Sequence, residues 1–237
     1  MREPNGRRQV FRLSRERRVS DIMEAATQVF REKGYDDALI SDIAERAAVV
    51  EGSIYRYFDN KRDLFIKVIE NWYHAMLSDY DRQLTGISGT RNRLRFMIWR
   101  HLATVHEDPA LCRQMFQIVR SGSEYTNTAV FELNRQYTRR TLDIVHEGIA
   151  TGELRAGLSL RLVRDMIYGC VEHRTWAYLR GEGDFDPDHV ADQIVDLVLG
   201  GLQTPGDSPA LGGQAAMLQR LENAVERLER SAAAAAG

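Results

Sequence analysis

Between Ser53 and Lys61 the sequence gathers a serine, the phenols of Tyr55 and Tyr57, the guanidinium of Arg56 and an ammonium. Hydroxyls and cationic side chains donate to phosphate oxygens, and a guanidinium can also fork onto a guanine edge. Other reactive residues are poorly spaced for chemistry. His101 and His106 lie five apart, not at the i, i+4 spacing of helical zinc ligands. His146–Glu147 and Glu172–His173 are adjacent pairs that point in different directions around a helix. The sequence has no phosphate-cradling Gly-rich loop and no Gly-x-Ser-x-Gly elbow. Catalysis, a bound metal and a cofactor are therefore not expected.

The chain has 237 residues, 43% hydrophobic and 28% charged, a globular balance. Lys and Arg number 32 against 34 Asp and Glu, so no basic coat covers the whole molecule. That near-neutrality hides an asymmetry. Residues 1–18 carry seven arginines and two glutamates, a net of +5, whereas residues 19–62 carry a net of −3. The first 16 residues lack apolar periodicity and read as a basic arm without stable structure of its own. No apolar run is long enough to span a bilayer, and no apolar stretch follows the arginines as in a secretory signal. Cys112 and Cys170 are far apart and read as reduced core residues of a cytoplasmic protein.

Apolar periodicity places a helix from about Arg17 to Lys33, stopped by Gly34. Short helices follow at Ile40 to Ala48 and Glu51 to Phe58. Asn60 and Asp63 form a capping pair that opens a long helix from Lys61 to Leu84, about 36 Å in length. Further helices are predicted at 90–107, 109–121, 125–150, 159–180 and 187–203. Asp108-Pro109 and Asp186-Pro187 supply starts for two of them. The fold is thus all-α: an arm (1–16), a three-helix domain (17–62), a larger helical domain (63–203), a linker (204–209), and a C-terminal heptad helix and tail (210–237).

Three short helices with a tight second turn describe a helix-turn-helix, whose last helix enters the major groove of double-stranded DNA. The pattern Ile43-Ala44, Gly52-Ser53-Ile54-Tyr55-x-Tyr57-Phe58 and Asn60-Lys61-x-x-Leu64 resembles the tetracycline-repressor (TetR) family of bacterial transcription regulators. The resemblance is strong over residues 17–65. Ile22, Val29, Phe30, Ile43, Ala44, Ile54 and Phe58 are expected to form the core beneath the third helix. The resemblance implies DNA contacts from Ser41, Glu51, Gly52, Ser53, Tyr55, Arg56, Tyr57 and Lys61. Several residues depart from the family pattern. Ala38 and Leu39 replace the usual Ser/Thr, Ala48 replaces a turn glycine, Val50 replaces a capping serine and Ser41 a frequent arginine. Glu51 is repelled by phosphate but can accept from a cytosine amino group. These departures imply an unusual operator preference.

The resemblance further implies a homodimer that binds a palindromic operator, and a small-molecule effector in the larger domain. Wide apolar faces at 159–180 and 187–203 fit an intersubunit four-helix bundle. Met97, Phe116, Phe131, Tyr137, Tyr168, His173 and Trp176 are the candidate effector-binding residues. Such a lining suits a hydrophobic or amphipathic ligand. The segment Asp165 to Trp176 is similar to a helix of fatty-acid-metabolism regulators in this family, which implies an acyl-CoA or lipid-like effector. The competing reading is a helical small-molecule-binding or interaction protein with weakened DNA binding.

Overall fold

The computed structural model describes residues 15–202, and among these every regular element is a helix. The linker, the heptad helix and the arm before Arg15 lie outside the described residues. In chain order the α-helices are α1 (Arg15–Asp37), α2 (Ile40–Arg46), α3 (Glu51–Ile54), α4 (Lys61–Leu84) and α5 (Thr90–Glu107). Then come α6 (Pro109–Gln114), α7 (Ala129–Ala150), α8 (Leu160–Leu179) and α9 (Pro187–Leu202). Gly34 breaks α1 with a left-handed φ of 80°. Asp108 caps α6, accepting from the Leu111 amide, and Ser159 caps α8, accepting from the Leu162 amide.

Two predicted helices divide where local bonding changes. The 109–121 run is α6 followed by a π-helical turn, Met115–Arg120. At the junction the Gln114 side-chain Nε2 donates to the Ala110 carbonyl, an acceptor of the helical ladder, and thereby intrudes on the ladder. The 125–150 run is a 3-10 turn, Tyr125–Asn127, then α7. Thr128 separates them with an extended backbone and a hydroxyl that accepts from the Phe131 amide.

The described residues form two compact units. One holds the chain up to Arg82 together with Thr104–Tyr137; the other holds Gln83–Ala103 and the chain from Thr138 onward. The divisions fall inside α4, α5 and α7. Bonding between α1 and α6 ties the 104–137 stretch to the first unit. Arg31 reaches Asp108 through Nε and Nη2 at 2.8 and 2.6 Å. Gln114 also donates to the Phe30 carbonyl at 2.9 Å, an acceptor near the Gly34 break.

In the first unit Ile22, Val29, Phe30, Ile43, Ala44, Ile54 and Phe58 are all buried, joined by Leu64, Phe65 and Val68 of α4. Phe65 packs edge-on to Phe30 at 5.0 Å and against Tyr35 at 5.2 Å. In the second unit, arginines four apart on α5 face aspartates four apart on α9. Arg91 pairs with Asp196, and Arg95 pairs with Asp192 and Asp188. The expected wide face of α8 proves to be two stripes. Val163, Ile167, Val171, Thr175 and Leu179 are buried, while Leu162, Met166 and Cys170 are exposed. Cys112 is a core residue, its thiol pKa pushed up by burial, whereas the Cys170 side chain lies at the surface.

Candidate nucleic-acid interface

The α2–turn–α3 segment is held from below. Ile40, Ile43 and Ala44 bury one face of α2, and Ile54 and Phe58 anchor α3 and the turn after it. Helix α3 ends at Ile54 and not at Phe58. The next residues remain folded because the amides of Tyr57 and Phe58 both donate to the Ile54 carbonyl, at 2.9 and 3.0 Å. The connecting turn places Ala48 at φ 51°, the single non-glycine positive φ among the described residues. Here a glycine would relieve strain.

With the anchors facing inward, the polar residues face out. Ser41, Glu51, Gly52 and Arg56 are exposed, Tyr55 is 52% exposed, and Ser53 and Tyr57 are half-buried. A Cβ built on Gly52 would meet nothing within 4 Å, so the start of α3 is uncovered. The Arg15 guanidinium lies 5.8 Å from the Tyr57 ring centroid, which brings the end of the basic arm to the edge of this surface. Two further exposed residues were not expected here: Leu39 and Val50, which precede α2 and α3 without capping them. At α2 the helix-start bonding is one-sided, with Asp42 accepting from the Leu39 amide and pairing with Lys33. Both bonds hold the Asp42 pKa below its ordinary value, the Lys33 bond more strongly.

Lys61 departs from its expected role. Its ammonium donates to the carbonyls of Tyr35, Asp36 and Ala38 at 2.8 to 3.1 Å, and sits 4.6 Å from the Tyr35 ring centroid. An ammonium has three donors, and all three are engaged in closing the end of α1. The start of α4 is organised beside it. Asn60 caps the Asp63 amide, while the Asp63 carboxylate accepts from the amide of Asp59 and not that of Asn60.

The candidate effector residues divide between the units. Phe116, Phe131 and Tyr137 belong to the first. There Tyr137 is buried and packs edge-on to Tyr80, Phe131 packs against Tyr125, and Arg120 lies over Phe116. Met97, Tyr168, His173 and Trp176 belong to the second. Met97 is fully buried, Tyr168 shares a 2.7 Å hydrogen bond with Thr141 and lies against the His101 ring, and Trp176 is half-buried. His173 is exposed, on the outer side of α8. A cleft of about 1010 Å³ opens between α1 and α4, but its lining includes Arg15, Glu24, Arg31, Lys67 and His74 and none of the candidate effector residues.

Comparison with known proteins places these observations. Residues 22–68 match the family described as bacterial regulatory proteins, tetR family, and residues 88–202 match the tetracyclin repressor-like C-terminal domain. The fatty acid metabolism regulator protein of Bacillus subtilis is 25% identical over 181 residues, covering 76% of this chain and 93% of that protein. The HTH-type transcriptional repressor KstR2 of Mycobacterium tuberculosis is 22% identical, covering 80% of this chain and 94% of the relative. The crystal structure of the regulator FadR from Bacillus subtilis in complex with stearoyl-CoA aligns with a TM-score of 0.67 and 26% identity. That alignment covers 76% of this chain and 97% of the FadR chain.

Proposed function

The chain belongs to the TetR family of DNA-binding transcription regulators, and on that premise we propose a cytoplasmic, effector-responsive repressor that grips a palindromic operator as a homodimer. As a member of that family it is a transcription regulator and not an enzyme. No helix among the described residues is long and apolar enough to cross a membrane. One observation carries the reading: Ser53, Tyr55 and Arg56 face away from the core that Ile54 and Phe58 anchor. In a dimer two such surfaces sit about 34–36 Å apart, in successive major grooves.

The exposed stripe of Leu162, Met166 and Cys170 on α8, with Leu197 of α9 at 75% exposure, supplies the apolar face for the second copy. Gly169, Gly200 and Gly201 have open space where a Cβ would stand, which permits close helix approach. The effector is an acyl-CoA or similar lipid. The reading draws on the regulator solved with stearoyl-CoA and on the aromatic and Met residues Met97, Tyr168 and Trp176 of the second unit. A ligand changes DNA affinity only through differential binding to two states, typically worth about 1–3 kcal/mol.

The test is fluorescence anisotropy with fragments from the gene's own upstream region at graded salt. Sequence-dependent, salt-sensitive binding that stearoyl-CoA changes about 5- to 150-fold is expected. No complex at low salt would overturn the regulator reading. DNA binding indifferent to acyl-CoAs of several chain lengths would overturn the effector assignment alone. Removing residues 1–16 is expected to weaken binding and flatten its salt dependence; an unchanged slope would show that the arm does not track phosphates.

A further inference from the structure

We propose that Val50 reads a base: its side chain packs on the C5-methyl group of a thymine in the operator's major groove. The inference rests on the regulator reading above and adds base chemistry to it. Val50 immediately precedes α3, with φ −83° and ψ 148°, and its carbonyl accepts from the Ser53 amide at 2.8 Å. The backbone is therefore fixed while the side chain is 74% exposed. A hydroxyl or carboxylate here would cap a free amide of α3, and valine makes no such bond. A lone exposed valine elsewhere would need no explanation. Here the position matters, because the N-terminal residues of the second helix in this motif are those that reach base edges.

The thymine methyl is the apolar group that base edges display in the major groove, and small aliphatic side chains match it. Glu51 follows, also exposed. That carboxylate can accept from a cytosine N4 amino group. Consecutive Cα atoms are about 3.8 Å apart, close to the rise between base pairs, so thymine and cytosine belong about one or two steps apart in each half-site. Leu39 is also exposed, but it precedes the helix that crosses the backbone, away from the base edges.

The experiment selects operators from random duplexes with the full chain, then replaces each selected thymine by deoxyuridine, which removes only the methyl. One position per half-site is expected to weaken binding about four-fold, the value of one buried methyl-sized group. V50S is expected to bind the thymine and uracil duplexes equally, while melting no lower than the parent because serine restores the cap. The proposal is overturned if no uracil substitution matters, or if V50S keeps the discrimination. A selection that enriches no sequence removes the regulator reading and this inference together; an enriched site without a methyl effect removes this inference alone.

Discussion

Helices α6 and α8 begin on side chains that cap them, Asp108 and Ser159, whereas α2 and α3 begin on Leu39 and Val50, which do not. The capped starts sit where helices must stay fixed: Asp108 also holds Arg31 of α1, and Ser159 starts the helix that carries both apolar stripes. The uncapped starts sit on the exposed surface of the helix-turn-helix, beside the left-handed Ala48. Side-chain caps are thus present at the supporting helices and absent at the exposed starts of the helix-turn-helix.

The largest test of this contrast is Asp108→Ala. It removes a cap and leaves Arg31 without its carboxylate, so a loss of about 2–3 kcal/mol is expected in urea unfolding, reduced from a fully buried pair because Arg31 is half-exposed. A loss below half a kilocalorie would mean that α6 is held by packing alone. Next comes a reciprocal pair. Ser159→Ala should cost about 1 kcal/mol, while Val50→Ser should add about 0.5–1 kcal/mol. Effects of the same sign would dissolve the distinction. Ala48→Gly should stabilise by up to about 1 kcal/mol by relieving a left-handed alanine, read as a raised Tm. The smallest effect is with pH. The Arg46 bond lowers the Glu32 pKa, and the Lys33 bond, followed by the Leu39 amide, lowers that of Asp42. The contribution of both carboxylates is complete above the unfolded carboxylate range, near pH 4, and fades as pH falls through their lower folded values. Thermal melts between pH 7 and pH 3 should show Asp42→Asn losing less stability than the parent; parallel curves would contradict this.

Much of the fold was legible because punctuation is local. Asn60, Asp108-Pro109 and Asp186-Pro187 mark helix starts through bonds made within a few residues, and α4, α5, α8 and α9 begin within a residue of expectation. Ile54 and Phe58 at i, i+4 gave the buried side of the reading segment, and with it the outward residues. What escaped depends on distant partners. The three carbonyls that engage Lys61 lie more than 20 residues earlier in the chain, and nothing near it announces them. The π turn after Gln114 coincides with a bond from Gln114 to Phe30, 84 residues away. On α8, Leu162–Met166 and Val163–Ile167 are equally apolar stripes one residue apart, and only tertiary packing decides which is covered.

The hold of Lys61 on α1 has a mechanical consequence. One side chain at the root of α4 clasps the carbonyls of Tyr35, Asp36 and Ala38, where the first helix finishes, so the end of α1 and the long helix behave like a blade riveted to its handle. A tilt of α4 is thereby carried into the end of α1, from which the chain enters α2.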